Sequence, residues 1–231
     1  MQKILDRCPP PPEATGTFAG ARAAAPERAQ RLRELLAGFT QAAGKGTLAV
    51  HVPDLPDASM ARGAGHFHLA TELFLQVSGW TRFRFPHGEF TLEAGQALVV
   101  PPRLLHDEAV GSAGTDAPFG NLVVYAEGPA MTCHLAHEAE PGRPGILHLE
   151  ASSHAQAARV HDWLGDAARL GRPARPQDGC APPWAQAQAR ALVAAATAGV
   201  LRALDEADPA SRPEPPLVAQ VRVREIGRAH V

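Results

Sequence analysis

The stretch Gly65-His66-Phe67-His68-Leu69-Ala70-Thr71-Glu72, answered later in the chain by Gly95-Gln96-Ala97-Leu98-Val99-Val100-Pro101-Pro102-Arg103-Leu104-Leu105-His106, decides how this sequence is read. In an extended strand, residues of equal parity share a face, so His66, His68 and Glu72 are predicted to point to one side. Two imidazoles and a carboxylate on one face are donors that suit a divalent metal. His106 is expected to complete the set from a second strand folded back beside the first. The competing reading is structural: Glu72 pairs with Arg82 or Arg84 across the sheet, and His66 and His68 serve as hydrogen-bonding pocket residues. The coincidence of four donors at this spacing sets them apart from His87, His134, His137, His148, His154 and His161, which are given no role. His51, on a strand before the stretch, is the one further histidine placed to face the same pocket.

Outward from this stretch the pattern is that of short strands. Leu73, Leu75 and Val77 alternate with Glu72, Phe74 and Gln76; Phe83 and Phe85 alternate with Arg82 and Arg84; Phe90 and Leu92 follow, and Ala97 to Val100 forms an apolar run. Turns are expected at Ser78-Gly79, His87-Gly88 and Ala94-Gly95. A loop over Gly111 to Pro118 precedes strands at Asn121 to Ala126, Thr132 to Ala136 and Ile146 to Leu149. Thr47 to Val52 is a short strand ahead of the stretch. Short strands at this spacing predict an all-β sandwich or barrel.

The histidine stretch resembles the two motifs of the cupin superfamily. The first, His-x-His followed by Glu and then Gly, is met by His66, His68, Glu72 and Gly79; the second, Gly followed by Pro and then His, by Gly95, Pro101 and His106. Met60 stands where the first motif would open with Gly, Arg103 replaces the Gly after the Pro, and Val110 replaces the closing Asn. The resemblance implies a mainly β fold with flanking α: a cupin-type double-stranded β-helix, or jelly-roll, barrel followed by helices.

Within that superfamily the layout from His66 to Arg224 is similar to the sensor half of AraC-type transcriptional regulators. That resemblance implies a small-molecule effector bound inside the barrel, with Phe74, Phe83, Phe85, His66, His68 and His106 lining or adjoining the pocket. It also implies a homodimer, DNA contact only through a C-terminal helix-turn-helix domain that this chain lacks, and no catalytic residues. The alternative is a metal-dependent cupin enzyme, a dioxygenase or isomerase, using Fe, Mn, Ni or Zn on His66, His68, Glu72 and His106.

Length and composition agree with a soluble, cytoplasmic protein. The chain has 231 residues, 45% of them hydrophobic, enough for a real core. No apolar run is long enough for a membrane span, and the amino terminus lacks the succession of a secretory signal. A net charge of −2 supplies no basic excess for nucleic acid. The three cysteines, Cys8, Cys133 and Cys180, are scattered and odd in number, so they read as reduced thiols.

The remaining organisation is read as follows. Residues 1–25, with Pro9 to Pro12, form a disordered arm. Residues 26–150 are the barrel with a leading helix, on which Leu32, Leu35, Leu36 and Phe39 recur at helical spacing between Pro26 and Gly44; its expected place is an open end of the barrel. Residues 151–210 are a helical extension for dimerisation or packing on the barrel. Its first helix opens on a capping box at Ser153 and Gln156 and carries the stripe Val160, Trp163, Leu164 and Ala167. Its second runs from about Trp184 to Ala207 after a Pro and Gly-rich linker. Residues 211–224 are a linker and the start of the missing DNA-binding domain, and 225–231 resemble the translation of a sequencing-adaptor oligonucleotide.

Overall fold

The computed structural model describes residues 25–54, 65–114, 117–172 and 181–206. The expected arm, the 211–224 linker, the adaptor-like tail, Met60, Cys8 and Cys180 lie outside the described residues. Among the described residues, three helices, α1 (Ala25–Gly44), α2 (Ala157–Leu170) and α3 (Pro183–Glu206), accompany nine strands. The strands are β1 (Ala49–His51), β2 (Glu72–Ser78), β3 (Trp80–Phe85), β4 (Gly88–Glu93), β5 (Gln96–Val100), β6 (Asp107–Gly111), β7 (Gly120–Glu127), β8 (Ala130–Glu140) and β9 (Arg143–Ser153).

They form a six-stranded sheet in the order β1-β5-β2-β7-β8-β9 and a three-stranded sheet in the order β4-β3-β6. All neighbours are antiparallel except β1 and β5. The result is a two-sheet, sandwich-like arrangement with a helical layer. Its edges approach each other: the Val110 amide donates to Gly142 O at 3.1 Å on one side, and the His51 and Phe90 rings lie 4.9 Å apart on the other.

Strand β2 sits in the middle and is buried along its whole length. One face, Leu73, Leu75 and Val77, joins Val99, Leu122, Val124, Cys133 and Leu135 under the helices. The opposite face carries Phe74, which packs with Phe83, Phe85, Leu98 and Val123 between the sheets. A side chain as large as Leu contributes roughly 1.5–3 kcal/mol when fully buried, so both faces contribute strongly. Gln76, on the inner face, accepts from Thr81 Oγ1 at 2.7 Å through Oε1 and donates to Ser78 O at 2.8 Å, tying β2 to β3 by buried polar contacts.

The helical layer covers the outer face of the large sheet. Leu32, Leu36 and Phe39 of α1, Val160, Leu164 and Ala167 of α2, and Val193, Val200 and Leu204 of α3 share one core with that sheet. Helix α1 packs chiefly on α3 and meets the sheet at β9, where Arg28 Nη1 donates to Leu147 O at 3.4 Å, while α2 lies over β5 and β7. The helical extension packs on its own sheet. The Ser153 capping box does not form. Ser153 still pairs with Ala130 in the β8–β9 ladder, and α2 has its N-cap at Gln156 with no side-chain cap. His154 takes over the local role: its Nδ1 accepts from the Gln156 amide at 3.1 Å and its carbonyl from the Ala157 amide at 2.9 Å. Among the described residues, no helix is long and apolar enough to cross a membrane.

Candidate metal centre

The donors are assembled by a short backbone bridge and a bend. His66 and His106 form an isolated antiparallel pair, with His66 N–H donating to His106 O at 2.8 Å and His106 N–H to His66 O at 2.9 Å. After His66 the chain leaves extended geometry and bends at residues 69–70 before β2 begins at Glu72. The expectation that His66, His68 and Glu72 lie on one strand is therefore corrected. The His68 carbonyl accepts the Arg103 amide at 2.8 Å, which pulls the segment out of line and turns His68 back over Glu72. Arg103 has φ 64, a left-handed conformation held in the turn between β5 and His106.

The convergence that the sequence pointed to is present by this different route. His66, His68 and His106 each bring one ligand nitrogen within 4.8 Å of the others, so the group can hold a metal ion. Glu72 lies between two of them, 3.2 Å from His68 Nε2 and 3.5 Å from His106 Nε2. Arg82 and Arg84 do not reach Glu72. Arg84 pairs with Asp107 at 2.5 Å and Arg82 lies over the Trp80 ring, both on the outer face of β3.

The tautomer of His106 is set by its surroundings. Its Nδ1 lies 2.9 Å from Leu104 O, and a carbonyl only accepts, so Nδ1 carries the proton and donates. Neutral His106 thus presents a bare Nε2, and that buried nitrogen has no hydrogen-bond partner. The same is true of Glu72 Oε2. A ring fixed through one nitrogen with the other free is the usual arrangement of a metal-ligating histidine. The chemistry of the donor set thus fits a divalent cation.

The electrostatics agree. Burial, then the neighbouring His66, holds the His106 imidazole down at about 3, with the Leu104 carbonyl pulling the other way. Burial and His66 likewise hold His68 at about 4. Burial, then the charge of Glu108, raises the Glu72 carboxyl well above its ordinary range. Neutral imidazoles are the form that binds a metal, and a buried carboxylate is expensive without a cation.

Glu108 is the group that sequence reading missed. It stands on β6, a strand placed in no expected element, and reaches His106 Nε2 at 3.6 Å and His66 Nε2 at 3.8 Å. Burial, then Asp107, raises its carboxyl to about 7. The signal available in the sequence was parity: Glu108 is two residues past His106 and so shares its face in extended chain.

Aromatic rings wall the centre. Phe74, Phe83 and Phe85 each place their ring centroid 6.3 Å from that of His106, and Tyr125 lies 6.0 Å from His68. One row of the inner face runs His51, Leu98, Phe74, Val123, His134 and Leu149 across the six strands. His51 therefore faces inward but stands at the sheet edge, away from the three clustered histidines. His137 and His161 bond carbonyls, and His148 pairs with Glu150.

Burial holds His51 and His134 at about 4. Below the unfolded value of 6.5 the unfolded state binds protons that these folded rings refuse, so their contribution is complete above pH 6.5 and lost as pH falls towards 4. Each is worth on the order of 3 kcal/mol over that window. Thermal melts of the metal-free chain are expected to fall steeply from pH 6.5 to 4, and His134→Gln is expected to flatten the fall; an unchanged slope in the variant would refute this assignment.

No family model, curated protein or solved structure matches this chain.

Proposed function

We propose that the chain is the effector-sensing domain of an AraC-type regulator: a cupin-type barrel with a divalent cation on His66, His68, Glu72 and His106. The observation that carries the sensor reading is the double burial of β2. On its inner face Glu72 and Phe74 meet the histidines, and on its outer face Leu73, Leu75 and Val77 belong to one apolar core shared with residues of all three helices. A ligand that shifts β2 by a fraction of an ångström has no slack on either side, so the displacement passes into the helical layer. The last helix, α3, leads towards the segment read as a linker.

The cation, one of Fe, Mn, Ni or Zn, supplies a Lewis-acid point of attachment for an oxygen or nitrogen donor of the effector. Phe74, Phe83 and Phe85 provide the apolar wall against which the rest of a small effector packs. As a regulator the domain acts as a homodimer and contacts DNA only through a further domain.

The enzyme reading draws on one observation of its own. Glu108, a carboxyl titrating near neutrality beside the imidazoles, has the protonation behaviour of a general acid or base. A thermal-shift screen of small carboxylates, phenols and sugars against metal-loaded chain separates the two. The sensor reading expects a ligand that raises the melting temperature in the parent, not in Phe83→Ala, and is recovered unchanged by mass spectrometry. Conversion of that ligand to product would overturn it in favour of the enzyme.

A further inference from the structure

The geometry points to Glu108 as a fifth protein donor to the cation, a second carboxylate that makes the centre charge-neutral and biases it towards a hard ion such as manganese. The inference rests on the reading that His66, His68, Glu72 and His106 hold a divalent ion, and extends it to a residue outside both histidine motifs.

Distances carry the first part. Bonds of about 2.1 Å to a common ion place neighbouring donors about 3.0 Å apart and opposite donors about 4.2 Å apart. The separations around this centre are 3.2 Å for His68 to Glu72, 3.5 Å for His106 to Glu72, 3.6 Å for His106 to Glu108 and 3.8 Å for His66 to Glu108. Three of the four exceed the length of a good hydrogen bond, so these pairs face one another at more than bonding distance. That is the spacing of atoms arranged about a shared centre. Glu108 belongs to it as fully as Glu72 does, since each lies within 4 Å of two of the imidazoles.

Orientation carries the second part. Glu108 pairs with Phe83 in the β3–β6 ladder, and Phe83 is wholly buried between the sheets, so Glu108 points inward with it. Its side chain is 12% exposed and its ion-pair partners are His66 and His106, with no lysine or arginine paired to it among the described residues. His106 cannot serve as its donor in the neutral form, because the proton of that ring is committed to Leu104 O. A carboxylate kept charged inside a protein needs a cationic partner, and a metal held by the imidazoles is one that this site can supply.

Charge carries the third. Three neutral imidazoles and one carboxylate leave a divalent centre at +1 in an apolar wall of phenylalanines. Adding Glu108 brings it to zero. Two carboxylates among five donors also shift the set towards oxygen, which favours manganese or ferrous iron relative to a three-histidine site.

The test is titration of the metal-free full chain with Mn²⁺ and with Zn²⁺ by calorimetry, together with the visible spectrum of the Co²⁺ form. Glu108→Gln is expected to weaken Mn²⁺ binding by at least about tenfold, more than it weakens Zn²⁺, and to intensify the cobalt bands as coordination number drops. Glu108→Asp, which keeps the charge but draws it back, is expected to fall between. A parent that binds one ion while Glu108→Gln binds it equally well, with an unchanged cobalt spectrum, would overturn the fifth donor and leave the four-donor centre standing. A parent that binds no ion at all would remove both. Melting curves of each variant establish folding, and if Glu108→Gln fails to fold the decision falls to Glu108→Asp, whose affinity must then drop.

Discussion

Dialysed against manganese beside the parent, His106→Ala will retain less than about a tenth of an ion per chain where the parent retains about one. His106 is the most deeply placed of the donors, its side chain fully covered and its tautomer fixed by a bond to the Leu104 carbonyl. Loss of outer-shell partners alone costs ten- to a hundredfold in affinity in typical sites, so loss of the ligand itself costs at least that. The ring also packs near Phe74, Phe83 and Phe85, and its removal leaves a cavity worth about 2–4 kcal/mol of stability. Elemental analysis reads the first effect and a denaturant melt the second. Retention of a full ion by folded His106→Ala would contradict the assignment of that nitrogen.

Gly65→Ala is expected to damage the same centre without touching a ligand. Gly65 has φ 143, which L side chains rarely adopt, and a Cβ there would fall on the carbonyl oxygen of His106. That oxygen accepts the His66 amide, so the two bonds of the His66–His106 bridge must yield. The expected cost is about 2–4 kcal/mol of stability, with metal affinity lowered at least about tenfold because His66 and His106 are no longer held in register. Gly38→Ala is the control. It lies in α1 with open space around it, and there alanine is expected to stabilise by about 0.5–1 kcal/mol through helix propensity. Equal behaviour of the two variants would show that the bridge does not position the donors.

How far the sequence could be read depends on which physical signal each element carries. The helices and most strands announced themselves by period, and Leu32, Leu36, Val160 and Leu164 are buried as their spacing required. Strands β8 and β9 run well beyond the expected segments because polar ends such as His137, Glu138 and Arg143 continue the ladder, where composition alone reads as loop. The donors were legible as a set since residue type and spacing coincide. Their geometry was not: the bend after His66 depends on a bond from Arg103, some 35 residues away in the chain, and no local pattern encodes it. Glu108 was hidden for a similar reason. Asp107-Glu108 belonged to no expected element, and its inward face is defined only by β3 lying beside it with Phe83 opposite.

The capping box fails in an instructive way. Ser153 and Gln156 have the right spacing, yet the ladder to Ala130 holds Ser153 in extended geometry, and the strand wins because each paired residue adds to a sheet already in place. Likewise, the place of α1 follows from where α3 and β9 lie beside it, a property of the assembled domain and not of the helix.

The central claim, that His66, His68, Glu72 and His106 hold a divalent ion between the sheets, is tested most directly by the metal content of the tag-free chain. Reconstituted anaerobically in turn with manganese, ferrous iron, nickel and zinc and then dialysed, the chain is predicted to keep about one ion of at least one of them, with a raised melting temperature in that form. A chain that melts cooperatively but keeps none of the four, with no shift in its melting temperature, would contradict it.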